Sequence, residues 1–264
     1  MRTSNNTNRE NNKPEIPNEP NSYTIMTDIK NVELKAAKAR MEKKNKKEKS
    51  KARDILEWVY CIIIALIIAF LIKYYVGTPT IVKQVSMKYT LIENDRLLLN
   101  RWSRTTKKLP KRGAIITFEA PTKNDYTKED INLFSPIAKY ENEPQGILDK
   151  FSYYVIEYNK KSYIKRVIAL PGEYVEIKDG RVYIDGKLLK EDYLDFDGDG
   201  VYDVDTEATG LFNRFVVPEN CVFAMGDNRP ESMDCRVFGC VPLNKIEGIV
   251  VLRFWPLNKF GKVD

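Results

Sequence analysis

The chain has 264 residues and 43% hydrophobic content, enough for one sizeable packed domain with appendages. Its net charge of +6, from 43 Lys and Arg against 37 Asp and Glu, is a modest excess whose distribution matters more than its size. Histidine is absent, which excludes Ser–His–Asp and Cys–His catalysis, His-ligated metals and His-based pH switches, and leaves Lys, Asp and Glu as the available bases.

Residues 1–29 are rich in Asn, Pro, Ser and Thr and predict disorder. Residues 30–54 hold eleven Lys and Arg and four Asp and Glu among helix formers such as Ala36, Ala37, Ala39 and Met41. They read as a charged helix, either solvated or facing anionic lipid. Nucleic acid is a poor third partner, because an apolar run follows. Residues 1–54 thus form a disordered and basic tail.

From Trp58 to Ile72 the run WVYCIIIALIIAFLI carries no charge, and with its flanks it extends over residues 55–76. As a helix that is about 33 Å, the thickness of a bilayer's hydrocarbon core. Glu57 and Lys73 can snorkel from its ends, and Trp58, Tyr60, Tyr74 and Tyr75 suit the interfaces. A buried core helix would show a polar face, and a cleaved signal peptide would not follow more than fifty residues. The pattern predicts a single-pass anchor in the cell membrane. The basic flank puts the N-terminus in the cytoplasm and residues 77–264 outside it.

Gly77 and Pro79 end the helix. Beyond them, runs rich in Val, Ile, Tyr and Phe predict strands at 80–85, 96–100, 114–118, 151–158, 163–170, 174–178, 181–184, 214–217, 222–225 and 247–253. Asp179-Gly180 marks a hairpin and Asp185-Gly186 another turn. Many short strands without alternating helices predict a mostly β domain. Two polar stretches, near 122–149 and 190–213, read as insertions. Of the four cysteines, Cys61 sits in the apolar run. Cys221, Cys235 and Cys240 lack CxxC spacing, which argues against zinc and leaves a Cys235–Cys240 bridge open without favouring it.

Three segments concentrate chemistry. The first, Gln84-Val85-Ser86-Met87-Lys88-Tyr89-Thr90-Leu91, puts Ser86 about ten residues past the apolar run. The second, Tyr163-Ile164-Lys165-Arg166-Val167-Ile168-Ala169-Leu170-Pro171-Gly172, sets Lys165 among apolar neighbours on a strand, where burial lowers an amine's pKa. The third runs from Met225 to Gly239 and mixes turn formers with Asp227, Arg229, Asp234 and Arg236. Taken singly, Ser86 reads as a loop serine, Lys165 and Arg166 as alternating strand residues with one in water, and the third segment as a surface salt-bridge cluster.

Together and in this order, the segments resemble the boxes of the type I signal peptidases. Ser-Met-x-x-Thr-Leu is similar to the nucleophile box, Lys-Arg-Val-x-Ala-Leu-Pro-Gly to the lysine box, and Gly-Asp-Asn-Arg-x-x-Ser-x-Asp-x-Arg-x-x-Gly to the last box. The resemblance runs from about residue 55 to the C-terminus. It implies the mostly β fold shared with the self-cleaving SOS repressors. It also implies a membrane-bound serine endopeptidase that needs no cofactor and removes signal peptides from preproteins with small residues at −1 and −3. Ser86 would be the nucleophile and Lys165 the general base, with Ser232 orienting the amine, Asp234 and Arg236 bracing the loop, and the Ser86 N–H helping to hold the oxyanion.

Three positions depart from the family pattern. Tyr89 stands where the family has Pro, which predicts a looser segment after the nucleophile. Gln84 stands where Ser or Gly is usual and a Ser can donate to the oxyanion. Cys235 replaces a Ser. The Cys235 change is near-isosteric, whereas Tyr89, Gln84 and the two insertions keep in view a catalytically weak relative that acts as an extracellular binding module; a peptidase dedicated to one surface protein is a further alternative.

Within the second insertion, Asp195, Asp197, Asp199 and Asp203, with Gly200, follow the spacing of a calcium loop. Thr206 occupies the place of the last bidentate acid. Calcium is therefore a candidate ligand, with a solvated acidic loop as the alternative.

Overall fold

A computed structural model describes residues 22–106, 108–122, 132, 134–140, 144–158, 160–196, 198–206 and 212–263. The chain falls into two compact units, Met1–Ala65 and Leu66–Asp264. Helix α1 (Ser22–Leu71) begins earlier than composition predicts, so residues 22–29 are helical, not disordered. They carry neither Pro nor Gly, whereas Pro14, Pro17 and Pro20 crowd the stretch before them, and nothing in them opposes a helix. Residues 1–21 lie outside the described residues. Among the described residues one helix, within Ile29–Val76, is long and apolar enough to cross a membrane, and its apolar stretch is not buried. It closes in a π-helical turn at Ile72–Val76, and Gly77 turns the backbone into an extended conformation.

The elements that follow are β1 (Gly77–Ile81), β2 (Arg96–Asn100), α2 (Trp102–Thr105), β3 (Ile115–Glu119), α3 (Ile147–Phe151), β4 (Ser162–Ala169), β5 (Tyr174–Lys178), β6 (Arg181–Ile184), β7 (Lys187–Leu188), β8 (Arg214–Val216), β9 (Cys221–Met225), α4 (Cys235–Phe238), β10 (Val241–Pro242) and β11 (Ile246–Trp255). A seven-stranded sheet has the order β1-β2-β11-β3-β4-β9-β10, and a four-stranded sheet the order β7-β6-β5-β8. Every recorded strand pair is antiparallel. The domain is mostly β, as the strand pattern predicts.

Two predicted strands differ. The strand expected at 80–85 lies at β1, shifted toward the N-terminus and holding Pro79. Proline cannot donate to a ladder, and β1 tolerates it because it is an edge strand. The strand expected at 151–158 is instead the end of α3 and a π-helical turn at Ser152–Ile156. A short apolar run without strict alternation fits a helix as well as a strand, and among the described residues no strand pairs with this one. The Asp179-Gly180 hairpin forms as expected, with φ of +50° and +71° at its two turn residues and Lys178 paired to Arg181. All four cysteines are free thiols.

The larger apolar cluster joins both sheets through residues such as Ile116, Phe118, Val167, Val175, Phe215, Phe223 and Phe238. A smaller one matters more for the site. There Val82, Met87 and Leu91, which bracket Ser86, pack with Leu97, Leu99, Ile115, Ile164 and Val250 from four strands. The segment around Ser86 is thus pinned to the sheet by apolar residues on both sides of the serine. Met87→Ala should lower unfolding stability by about 2–5 kcal/mol, the range for truncating a fully buried side chain, as measured by urea denaturation.

Candidate active site

Strand β4 and the turn at Val85–Met87 bring the first two segments together. Successive residues of a strand face opposite ways, so Lys165 and Arg166 serve different neighbourhoods. Neither points into water, and both are buried. Lys165 Nζ donates to Ser86 Oγ at 2.6 Å. Burial pushes the Lys165 pKa down from 10.5 to about 8, opposed by the Asp234 and Asp227 carboxylates and assisted by Arg236. A neutral amine at this distance from a hydroxyl can accept its proton.

On the other side of β4, Arg166 clasps Asp227 with Nε to Oδ1 at 2.9 Å and Nη2 to Oδ2 at 2.8 Å. Asp227 also accepts from Thr90 Oγ1 at 2.6 Å. A residue from each of the three segments therefore meets in one group, with Arg166 and Asp227 buried and Thr90 partly so. Sequence reasoning gave Thr90, Arg166 and Asp227 no role. Buried donors and acceptors must be paired, but that these three pair with one another is visible only in the structure.

The third segment wraps around the serine. Asn228 N–H donates to the Ser86 carbonyl at 3.1 Å, and its side-chain amide donates to the Val85 carbonyl at 3.1 Å. Sequence reasoning missed this clamp too. Asp234 caps α4 by accepting from Arg236 N–H, grips the Arg236 guanidinium with both oxygens at 2.9 Å, and accepts from Gly226 N–H at 3.1 Å. Burial raises the Asp234 pKa, but the Arg236 guanidinium more than reverses this and holds it below the usual carboxylate range. Asp234 and Arg236 thus form a buried ion pair, not a surface cluster. Ser232 Oγ is buried beside Asp234 and forms no hydrogen bond with the Lys165 amine, so the expected contact is not formed. That amine is turned to Ser86 and lies 5.5 Å from the Tyr163 ring centre.

Gly226 explains how this loop comes so close. A Cβ there would overlap both Ser232 Oγ and the Ser86 carbonyl oxygen.

Gln84 is exposed and extended beside Ser86, where it lines a groove of about 550 Å³. Residues 80–84 line the groove together with Thr117 and residues 160–164. Tyr89, where the family pattern has Pro, takes a left-handed backbone conformation. Its φ is +82°, a value proline cannot adopt and one that costs a bulky residue about 1–2 kcal/mol. Its ring stacks on Phe196 with centroids 3.7 Å apart, a contact of about 0.5–1.5 kcal/mol that offsets much of the strain.

In the acidic insertion, Asp195 accepts from Gly198 and Gly200 N–H at 2.7 and 2.8 Å, Asp199 accepts from Val201 N–H at 2.7 Å, and Asp203 accepts from Phe196 N–H. These carboxylates hold the loop's own backbone. Asp197 lies outside the described residues, and no group of three or more Cys, Asp or Glu is gathered to hold a metal among those described.

The sequence model of the family described as signal peptidase, peptidase S26, matches residues 55–255. A signal peptidase I P of Bacillus subtilis subsp. natto is 32% identical over 212 residues, covering 80% of this chain and 95% of that protein. A signal peptidase IB of Staphylococcus aureus is 30% identical over 216 residues, covering 79% and 93% respectively. A crystal structure of a signal peptidase I from Enterococcus faecalis is 31% identical, covering 54% of this chain and 97% of its own, with a TM-score of 0.33.

Gly226→Ala should displace the loop from the Ser86 carbonyl and lower stability by about 1–3 kcal/mol, the range for overpacking a filled site. Urea unfolding measures the loss, and an unchanged midpoint would mean the backbone gives way freely.

Proposed function

This chain belongs to the signal peptidase family and is a serine hydrolase, and we propose that it is a membrane-bound endopeptidase in which Ser86 is the nucleophile and Lys165 its general base. The observation that carries this reading is the 2.6 Å hydrogen bond from a dehydrated lysine amine to a serine hydroxyl, in a chain with no histidine. Ser86 Oγ attacks the scissile carbonyl carbon as its proton passes to Lys165 Nζ. The tetrahedral oxyanion is met by the Ser86 N–H. Collapse expels the amine, which takes the proton from Lys165, and leaves an ester on Ser86. Water, deprotonated by Lys165, then hydrolyses that ester.

The groove beside Ser86 supports an extended peptide as substrate. Along β4, residues 162–165 pair with β3 on one side, while β9 pairs only from Arg166 onward. The far edge of 162–165 is open toward the groove, and residues 83–84, which lie past the backbone pairing of Val82 with Asn94 and Asp95, line the same groove. A substrate strand laid between them would use these backbone groups for affinity and present alternate side chains to pockets. This suits exported preproteins read at −1 and −3. The basic stretch at 30–54 before the apolar helix supports a cytoplasmic N-terminus and an extracytoplasmic β domain. Exposed Trp102, Trp255, Leu257 and Phe260 suit a domain that works against a lipid surface.

Preprotein cleavage tests the dyad directly. Ser86→Ala should lower kcat by about 10⁴-fold or more and Lys165→Ala by about 10²–10⁴-fold, and equal rates in all three proteins would overturn the reading. The pH profile tests the base. The neutral amine is the active form and its fraction grows with pH, so kcat/KM should rise through about pH 8 and level off above it. A flat profile between about pH 5 and 10 would remove Lys165 from the role.

A further inference from the structure

The stretch from Glu191 to Thr206 lies outside every motif that carries the proposed chemistry, yet four of its side chains close on residues of those motifs. Glu191 is buried and pairs with buried Arg229, and Thr206 Oγ1 accepts from the same guanidinium. Arg229 Nε in turn donates to the Gly226 carbonyl at 3.0 Å. Tyr193 donates to Glu191 at 2.6 Å, and its ring lies 4.1 Å from the Arg166 guanidinium. Phe196 stacks on Tyr89 at an interplanar angle of 16°. All three motif segments are touched.

The geometry points to the acidic insertion as a positioning element for Ser86, acting through the Phe196–Tyr89 stack on one side and the Glu191–Arg229 pair on the other. This inference rests on the reading of Ser86 as nucleophile. Between Met87 and Leu91 the backbone crosses from one core residue to the next, and Tyr89 is the crest of that crossing. The crest is half-exposed and held at a φ of +82°, which its own side chain disfavours. Without the Phe196 ring the crest gains freedom to relax, and Ser86 sits three residues before it. On the opposite side, Arg229 fixes the turn whose next neighbour, Asn228, clamps the Ser86 carbonyl. The serine is therefore held from in front by a ring that belongs to the insertion and from behind by a loop that the insertion neutralises.

Phe196 is the residue to test, because it is only partly buried and its loss leaves the Glu191–Arg229 pair intact. The full-length protein in detergent, a preprotein substrate and thermal unfolding suffice. Phe196→Ala should lower kcat about threefold to tenfold with KM unchanged, the size of one aromatic stack expressed as a rate. Phe196→Tyr should retain wild-type kcat. In a Tyr89→Ala background, Phe196→Ala should have no further effect. A kcat for Phe196→Ala within about twofold of wild type, or the same additional loss in the Tyr89→Ala background, would overturn the inference. Ser86→Ala run alongside separates the two ideas. Equal cleavage by it and wild type sinks the peptidase reading itself, whereas inactive Ser86→Ala beside fully active Phe196→Ala sinks only the positioning role.

Discussion

The arrangement around β4 depends on one constraint: Lys165 must be kept out of water, against Ser86, without a counter-charge that restores its proton. Burial alone favours the neutral amine, but the charges of Asp234 and, from across β4, Asp227 each pull the lysine back toward its charged form. Each acid is neutralised by its own arginine, Asp227 by Arg166 and Asp234 by Arg236. Both pairs are buried and two-pronged, the geometry in which an arginine satisfies a carboxylate most completely. Buried ion pairs are poor devices for stability as such, because desolvation consumes most of their attraction. Here they allow acidic residues to shape the loop while leaving a dehydrated lysine with a pKa of about 8.

The same logic explains why the loop from Gly226 to Arg236 is so crowded. It must bring a backbone donor to the Ser86 carbonyl, a carboxylate close to Lys165 and an arginine for that carboxylate, all within one turn. Asp234 supplies the carboxylate, and it also caps α4, binds Gly226 N–H and holds Arg236. Gly226 makes the approach sterically feasible. The smaller apolar cluster supplies the opposing wall, fixing Met87 and Leu91 so that the loop closes on a segment that does not retreat.

Much of this was legible in the sequence, and what was not has a common cause. Strands 96–100, 174–178 and 181–184 keep their predicted bounds, because polar or glycine-containing turns delimit them. The run at 151–158 forms helical turns where the sequence predicts a strand, because its apolar residues lack strict alternation and only a pairing partner separates the two. Ser86, Lys165, Asp234 and Arg236 converge as their motifs imply. Thr90, Arg166, Asp227 and Asn228 were passed over because their work is mutual, and pairing across such distances in sequence leaves no local periodicity. Ser232 shows the converse, a residue whose motif position implies a contact that this arrangement of the amine does not make.

Tyr89 is the sharpest case of a local rule being overridden from afar. A proline at that position would fix φ near −65°, stiffening the segment by its own ring. Here the backbone takes φ of +82° instead, so the two solutions are not interchangeable at fixed geometry. What covalent restriction would do locally is done by a ring contributed from Phe196, more than a hundred residues downstream. Rigidity obtained that way is conditional. It depends on the insertion being folded, which depends on Glu191 being buried against Arg229 and on Asp195 and Asp203 holding the turns between them. Stiffness next to the serine is therefore linked to the integrity of a separate surface loop, a linkage that a proline in the nucleophile segment would not create.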